Sequence, residues 1–337
     1  LSIFSAGSDQ HGLTETLDFL GVASLMSGDL IASARYYEQA VELWRALGDR
    51  QGLVSSLVFY AGRGGVYFTS TVVCTETSGA ECLRDAEEAV ALAGQLGLRS
   101  GEAFARIFLG LCLGPRGDYG RAFSSAETGL NIAIEIEHGP WMATGYLLLG
   151  ILSLELLALS SARQHLEKAL ALAKECGSLF LLRDATAFLA STCIAQGEYI
   201  RAEVVLDEVF GTETPGKTMQ TMAQRLIWYA RAELELARAH PEQALTILDQ
   251  LISTARYVED GRVIPHVWHL RGKVLIALGR VEEAEVVLCS ARDAAQGQGA
   301  RPLLWRICVT QGKLYRTQAK REQAEEAFSL ARTIIEE

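Results

Sequence analysis

Proline, histidine and paired cysteine are all scarce in this chain, and each shortage excludes something. Only six prolines interrupt 337 residues, so long helices can run unbroken. There are six histidines, and the sequence holds no H-E-x-x-H, no G-x-S-x-G and no Cys/His pairing in a familiar context. Metal-assisted and triad hydrolysis therefore lack their usual parts, and no catalytic residue, metal site or cofactor is expected. The seven cysteines (Cys74, Cys82, Cys112, Cys176, Cys193, Cys289, Cys308) are odd in number, dispersed and free of any C-x-x-C pair. They are expected as buried thiols in a reducing compartment.

Long apolar runs are missing too. "YLLLGILSLELLALS" comes nearest to the roughly 20 residues of a membrane span, but Glu155 interrupts it. With no signal segment at the N-terminus, a cytoplasmic location away from membranes is expected. Basic charge is also in deficit: 31 Lys and Arg against 41 Asp and Glu give a net charge of −10, which argues against direct nucleic acid binding. The first residue is Leu1, from which we expect a fragment of a longer protein.

What the sequence has in quantity is hydrophobic residues, 49%, rich in Ala and Leu, a mixture that loses little on entering helix. It also has a repeat. "GDLIASARYYEQAVEL", "GDYGRAFSSAETGLNI", "GEYIRAEVVLDEVF" and "GRVEEAEVVLCSARDA" align on a turn followed by a helix. Ala122, Ala162, Ala202, Ala244, Ala284 and Ala324 recur at a period near 40, and Ser33 and Cys82 hold the matching places upstream. Gly21, Gly110, Gly150, Ala190, Ala232, Gly272 and Gly312 mark a second register in the preceding helix. Small residues there let two antiparallel helices approach closely. Tyr37, Leu166, Leu206, Leu248, Leu288 and Phe328 are the bulky residues between, and Pro140, Pro265 and Pro302 fall near helix starts.

This small/Ala/bulky/Ala order resembles the tetratricopeptide repeat, with helices longer than that family's period of about 34; HEAT and armadillo periods are nearer 40, but the short turn and the residue order favour the former. The expectation is an all-α, right-handed superhelical solenoid of about eight helical hairpins, a single domain over residues 1–337. In "AVELWRALGDRQG" and "ALALAKECGS" the chain is similar to the MalT-like sensor region of large ATP-binding LuxR-type regulators and related bacterial signalling ATPases. That resemblance implies a non-catalytic recognition or sensor module, with an ATPase or DNA-binding module attached outside this chain. The alternative is a free-standing protein–protein interaction scaffold. Residues 66–79, with many β-branched side chains, read as an insertion between the helices of the second hairpin, in a loop or distorted extension.

"GTETPGKT", residues 211–218, fits the phosphate-loop pattern G-x-x-x-x-G-K-[ST], which would give Gly216, Lys217 and Thr218 a nucleotide to hold. That loop needs a strand before it. The repeat register instead puts "AEVVLDEVF" on a helix, so residues 211–218 are expected to be an irregular linker, and nucleotide binding is the disfavoured reading.

In tetratricopeptide arrays the first helix of each hairpin lines a concave groove, so the resemblance implies groove positions. His266, His269 and Lys273 share one helical face, and Arg306, Val309, Lys313 and Arg316 follow one repeat later. The expected groove is basic at its C-terminal end, able to hold an anionic part of a protein partner or a small effector; the plainer alternative is a solvated charged face. Two histidines without a third ligand do not make a metal site. Tyr229 and Glu233 mark the transition to an apolar stretch, Ile107, Leu111, Leu147, Ile151 and Leu154, for which packing between helices is the favoured reading. The five tryptophans are read as packing residues as well.

Overall fold

The computed structural model describes residues 9–75, 80–210 and 219–336. Among these residues there are no strands, and sixteen helices of twelve or more residues pair in chain order. The hairpins are α1 (Gln10–Met26) with α2 (Leu30–Leu47), α3 (Arg50–Ala61) with α5 (Ala80–Leu96), α6 (Arg99–Leu113) with α7 (Tyr119–Glu135), and α8 (Gly139–Glu155) with α9 (Leu159–Glu175). They continue as α10 (Leu179–Ala195) with α11 (Tyr199–Phe210), α12 (Met222–Ala237) with α13 (Pro241–Ser253), α14 (Pro265–Ala277) with α15 (Val281–Gly297), and α16 (Arg301–Thr317) with α17 (Arg321–Glu336). One short α-helix, α4 (Tyr67–Ser70), stands inside the second hairpin, after a 3₁₀ turn at Gly62–Gly64. The fold is a tetratricopeptide-like helical-repeat superhelix.

The two sequence registers meet across each hairpin. A Cβ added at Gly21 would lie 2.6 Å from the Tyr37 ring, one at Gly150 2.5 Å from Leu166, one at Gly272 2.6 Å from Leu288, and one at Gly312 2.7 Å from Phe328. Each glycine is thus the hole that its bulky partner fills, and Tyr37, Leu166 and Leu288 are almost wholly buried. Close packing of this kind forgives neither added nor missing methylenes.

The turns repeat as well. Gly28 closes one helix with φ 77°, and Asp29 at once caps the next by accepting from the Ala32 N–H at 2.9 Å. Asp9, Asp49 and Asp118 cap helices in the same way, each contributing about 1 kcal/mol. Some turns use a residue other than glycine in the left-handed region, among them Leu157 at φ 58°. Pro140 and Pro302 are second residues of their helices and Pro265 is a first residue, where the missing N–H is not needed.

Two sequence expectations change. Cys176 is exposed and Cys289 half-exposed, whereas the other five thiols are buried as expected. The 66–75 segment is not a plain loop: α4 forms one helical turn because hydroxyl groups supply its bonds. The Val66 N–H donates to Thr69 Oγ1 at 2.9 Å, Ser70 Oγ donates to the Val66 carbonyl at 2.9 Å, and Thr71 Oγ1 donates to the Tyr67 carbonyl at 2.6 Å. The favoured packing reading of the apolar stretch fits the structure: Ile107, Leu111, Leu147 and Ile151 are core residues, each 2% exposed or less, and Leu154 lines a cavity.

The segment before "GTETPGKT" is helix α11, not a strand, so the context a phosphate loop needs is absent there. Residues 211–218, with Gly216, Lys217 and Thr218, lie outside the described residues. No described helix is long and apolar enough to cross a membrane.

Candidate functional site

The first helices of successive hairpins form the inner wall, and contacts between residues far apart in sequence show it. Arg306 on α16 makes an ion pair with Glu155 at the end of α8 and donates a second bond to the Glu155 carbonyl at 2.9 Å. Near the other end, Tyr257 donates to Asp29 at 2.8 Å and Arg256 lies 3.5 Å from the same carboxylate. Residues over a hundred positions apart are thereby brought together around one interior.

That interior is occupied by the chain itself. The Phe68 ring packs edge-on against Phe108 of α6 and Phe180 of α10, with centroids 6.5 and 6.1 Å apart. Arg225 of α12 donates through Nε to the Val72 carbonyl at 2.9 Å, and through its other nitrogens to the Leu251 carbonyl at 2.6 Å and to Thr254 Oγ1 at 2.9 Å. Arg262 donates to the Thr75 carbonyl at 3.1 Å. Tyr67 lines one cavity with Glu155 of α8 and His266 of α14. The 66–75 segment therefore lies against the first helices of the third to seventh hairpins. Val66, Tyr67, Phe68, Val72 and Val73 are all buried.

Arg225 is only 3% exposed, and its hydrogen-bond partners are neutral oxygens. Burial pulls its guanidinium down to about 10, which still leaves it charged near neutral pH. A buried arginine held by carbonyls is a main-chain clamp: it fixes a peptide backbone whatever the side chains.

Two small cavities follow the seam between the segment and the wall. One, about 30 Å³, is lined by Tyr67, Ser70, Glu155 and His266 among others. The second, about 100 Å³, is bordered by Tyr67, Thr71, Phe188, Tyr229, Glu233 and His266. Glu233 accepts a hydrogen bond from Ser191 at 2.6 Å; burial raises its carboxyl above the usual range, while Ser191 and Lys273 oppose the shift. Burial, aided by the charge of Arg306, lowers His266 to about 4, so its ring is neutral. His266 Nδ1 has no hydrogen-bond partner among the described residues.

The residues singled out in the sequence are thus only partly assembled. Tyr229, Glu233 and His266 share the larger cavity. His269 bonds through Nε2 to Thr310 Oγ1 at 2.9 Å, linking α14 to α16. Arg306 is neutralised by Glu155. Arg316 lies 5.9 Å over the Phe328 ring of its own hairpin. Lys273, Lys313 and Arg316 are exposed, so the expected basic stripe is interrupted at the paired Arg306. The physical reason is desolvation: cations facing an interior are stable there only when paired or stacked. Among the described residues no group of three or more His, Cys, Asp or Glu could hold a metal.

Sequence reasoning missed Arg225, Glu155, the resident segment and Asp184. Asp184 is 0% exposed, and neither of its oxygens has a hydrogen-bond partner among the described residues. Burial alone raises its carboxyl well above the usual range. It stands on α10 one turn from Phe180 and one turn from Phe188, both of which border the segment. A charged pair inside the otherwise apolar "LFLLRDATAFLA" was the available signal.

No family model and no curated protein matches this chain. Solved structures do. The chain is similar to a Rap protein complexed with competence and sporulation factor, at 14% identity and TM-score 0.51, covering 95% of this chain and 74% of that one. It is similar to the apo form of the quorum sensor NprR from B. thuringiensis, at 12% identity and TM-score 0.51, over 97% and 99% of the two chains. Yeast Tom70 matches at 15% identity and TM-score 0.52, over 95% of this chain and 64% of its own length. At these identities the likeness establishes the tetratricopeptide-like superhelix and nothing finer.

Proposed function

We propose that this chain is a non-catalytic recognition module that takes up a peptide segment of a partner along its inner wall. One observation carries the reading: a peptide segment already lies there, against five hairpins, with two carbonyls held by Arg225 and Arg262. Clamps directed at the main chain accept foreign segments as well as the chain's own. The apolar clefts beside Phe108 and Phe180 add selectivity for bulky side chains, and the acidic net charge disfavours nucleic acid as the partner.

Two of the similar structures bear names that speak of signalling, one holding competence and sporulation factor and one called a quorum sensor. With the MalT-like resemblance of the sequence, they support a sensor role within a bacterial regulatory protein, in which the bound state is passed to an attached ATPase or DNA-binding module. A cytoplasmic site of action belongs to the same reading. Tyr229, Glu233, His266, His269, Lys273, Arg306, Lys313 and Arg316 are then the C-terminal wall, with Lys273, Lys313 and Arg316 its exposed charges.

Selection of peptides from a random display library, followed by photo-crosslinking of the winners, tests this. Crosslinks are expected on α6, α10, α12 and α14. Crosslinks confined to second helices such as α9, α13 and α15 would contradict it, as would a library that yields no binder.

A further inference from the structure

The 66–75 segment stands where a partner would stand. Four observations distinguish it from ordinary core. The hydroxyls of Thr69, Ser70 and Thr71 bond within the segment, to the Val66 and Tyr67 carbonyls, while Thr75 Oγ1 is buried without a hydrogen-bond partner among the described residues. Its polar hold on the wall is two guanidinium donors to main-chain carbonyls, beside the apolar packing of Val66, Tyr67, Phe68, Val72 and Val73, with Tyr67 set tightly over Gly114. The seam is underfilled, with Tyr67 lining cavities of about 30 and 100 Å³. And the wall keeps Asp184 buried without a donor, although interiors seldom leave a carboxyl so. The segment, VYFTSTVVCT, has no charged side chain to offer it.

We propose that residues 66–75 are a displaceable occupant of the inner wall, and that the partner replacing them is a peptide segment with bulky apolar side chains and one cationic side chain that reaches Asp184. This rests on the recognition reading above and goes beyond it. Arg225 and Arg262 grip carbonyls, which every peptide presents. The Phe108 and Phe180 rings accept an aromatic residue, as they do Phe68. The one feature the resident cannot match is a cationic donor for Asp184, and that is where a partner gains its advantage. A resident competitor also sets a threshold, because apparent affinity is reduced by the fraction of molecules in which the wall is free.

The experiment uses the full chain, the variant Phe68→Gly, and capped synthetic peptides: the sequence VYFTSTVVCT and its ten single-lysine versions. At least one lysine peptide should bind Phe68→Gly about tenfold more tightly than wild type, and more tightly than the unsubstituted peptide. Its advantage should vanish when Asp184→Asn is added. Equal affinity for wild type and variant overturns displacement; absence of any lysine preference overturns the role of Asp184.

Hydrogen exchange on the wild type keeps the test open should Phe68→Gly fail to fold. The bonded amides of Thr69, Ser70, Val72 and Val73 should exchange through their own opening, about a hundredfold faster than those of α6 and α12. Exchange at the same rate as those helices would make the segment permanent core and end the proposal. Peptides that crosslink to second helices would instead defeat the recognition reading, whereas peptides on the inner wall beside a still-protected 66–75 segment would defeat displacement alone.

Discussion

The interior of a hairpin and the seam along the inner wall are both buried, yet they are built differently. Inside the hairpins a glycine faces one bulky side chain and the contact is tight, as at Gly150 and Leu166. Along the seam there are cavities, a histidine nitrogen without a partner and a carboxyl without a donor among the described residues. The first region is what a repeat needs in order to stack. The second carries the cost of polar groups that the resident segment does not satisfy, which is expected where a surface has been shaped for something else.

The comparison can be broken most forcefully in the hairpins. Leu166→Ala, which empties the space against Gly150, should cost about 3 kcal/mol, read from urea unfolding. Gly94 is the control, an exposed helical glycine at which an added Cβ would meet nothing within 4 Å; Gly94→Ala should stabilise by about 0.5 kcal/mol. A small loss at Leu166 would mean that the hairpins are no better packed than the seam.

A middle-sized effect is expected where the wall closes on itself. Glu155→Gln leaves Arg306 about a quarter exposed without its countercharge and should cost about 2 kcal/mol. The double variant Glu155→Gln, Arg306→Met should recover part of that loss. If the two single changes simply add, the pair does not hold the fourth and eighth hairpins together.

The pH dependence at Asp184 sharpens the comparison further. Its folded-state carboxyl titrates above its unfolded value, so the stability it allows is fully present below about pH 4 and is lost as pH rises toward the folded value. In that window the wild type should lose about 1.4 kcal/mol per pH unit relative to Asp184→Asn. Parallel stability curves from pH 4 to pH 7 would show that the carboxyl is solvated or paired. A further effect is local: Leu157→Gly should gain about 1 kcal/mol by relieving the left-handed backbone at φ 58°.

The hairpin interior is legible in the sequence because its contacts are near neighbours. Gly21 with Tyr37 and Gly312 with Phe328 lie within one repeat, and the period exposes them. The seam is not. Its β-branched insertion stands out, but nothing in "VYFTSTVV" names Phe180, Arg225 or His266 as its neighbours, which a superhelical turn brings to it from over a hundred residues away. Arg306 reads as a free groove cation for the same reason: its partner, Glu155, belongs to another hairpin. The exposure of Lys273 and Lys313 follows from their own helical faces, so local periodicity alone is enough to expect it.

The central claim is that the 66–75 segment is seated on the inner wall, and its cysteine offers the most direct check. Cys74 is 4% exposed, with its thiol pushed up to about 11 by burial, Cys176 is exposed and Cys112 is buried in the core. Timed alkylation of the native protein, read peptide by peptide in a mass spectrometer, should label Cys176 first, Cys74 about a hundredfold more slowly and Cys112 last. Labelling of Cys74 as fast as Cys176 would show that the segment is not on the wall, and the account built on it would fall.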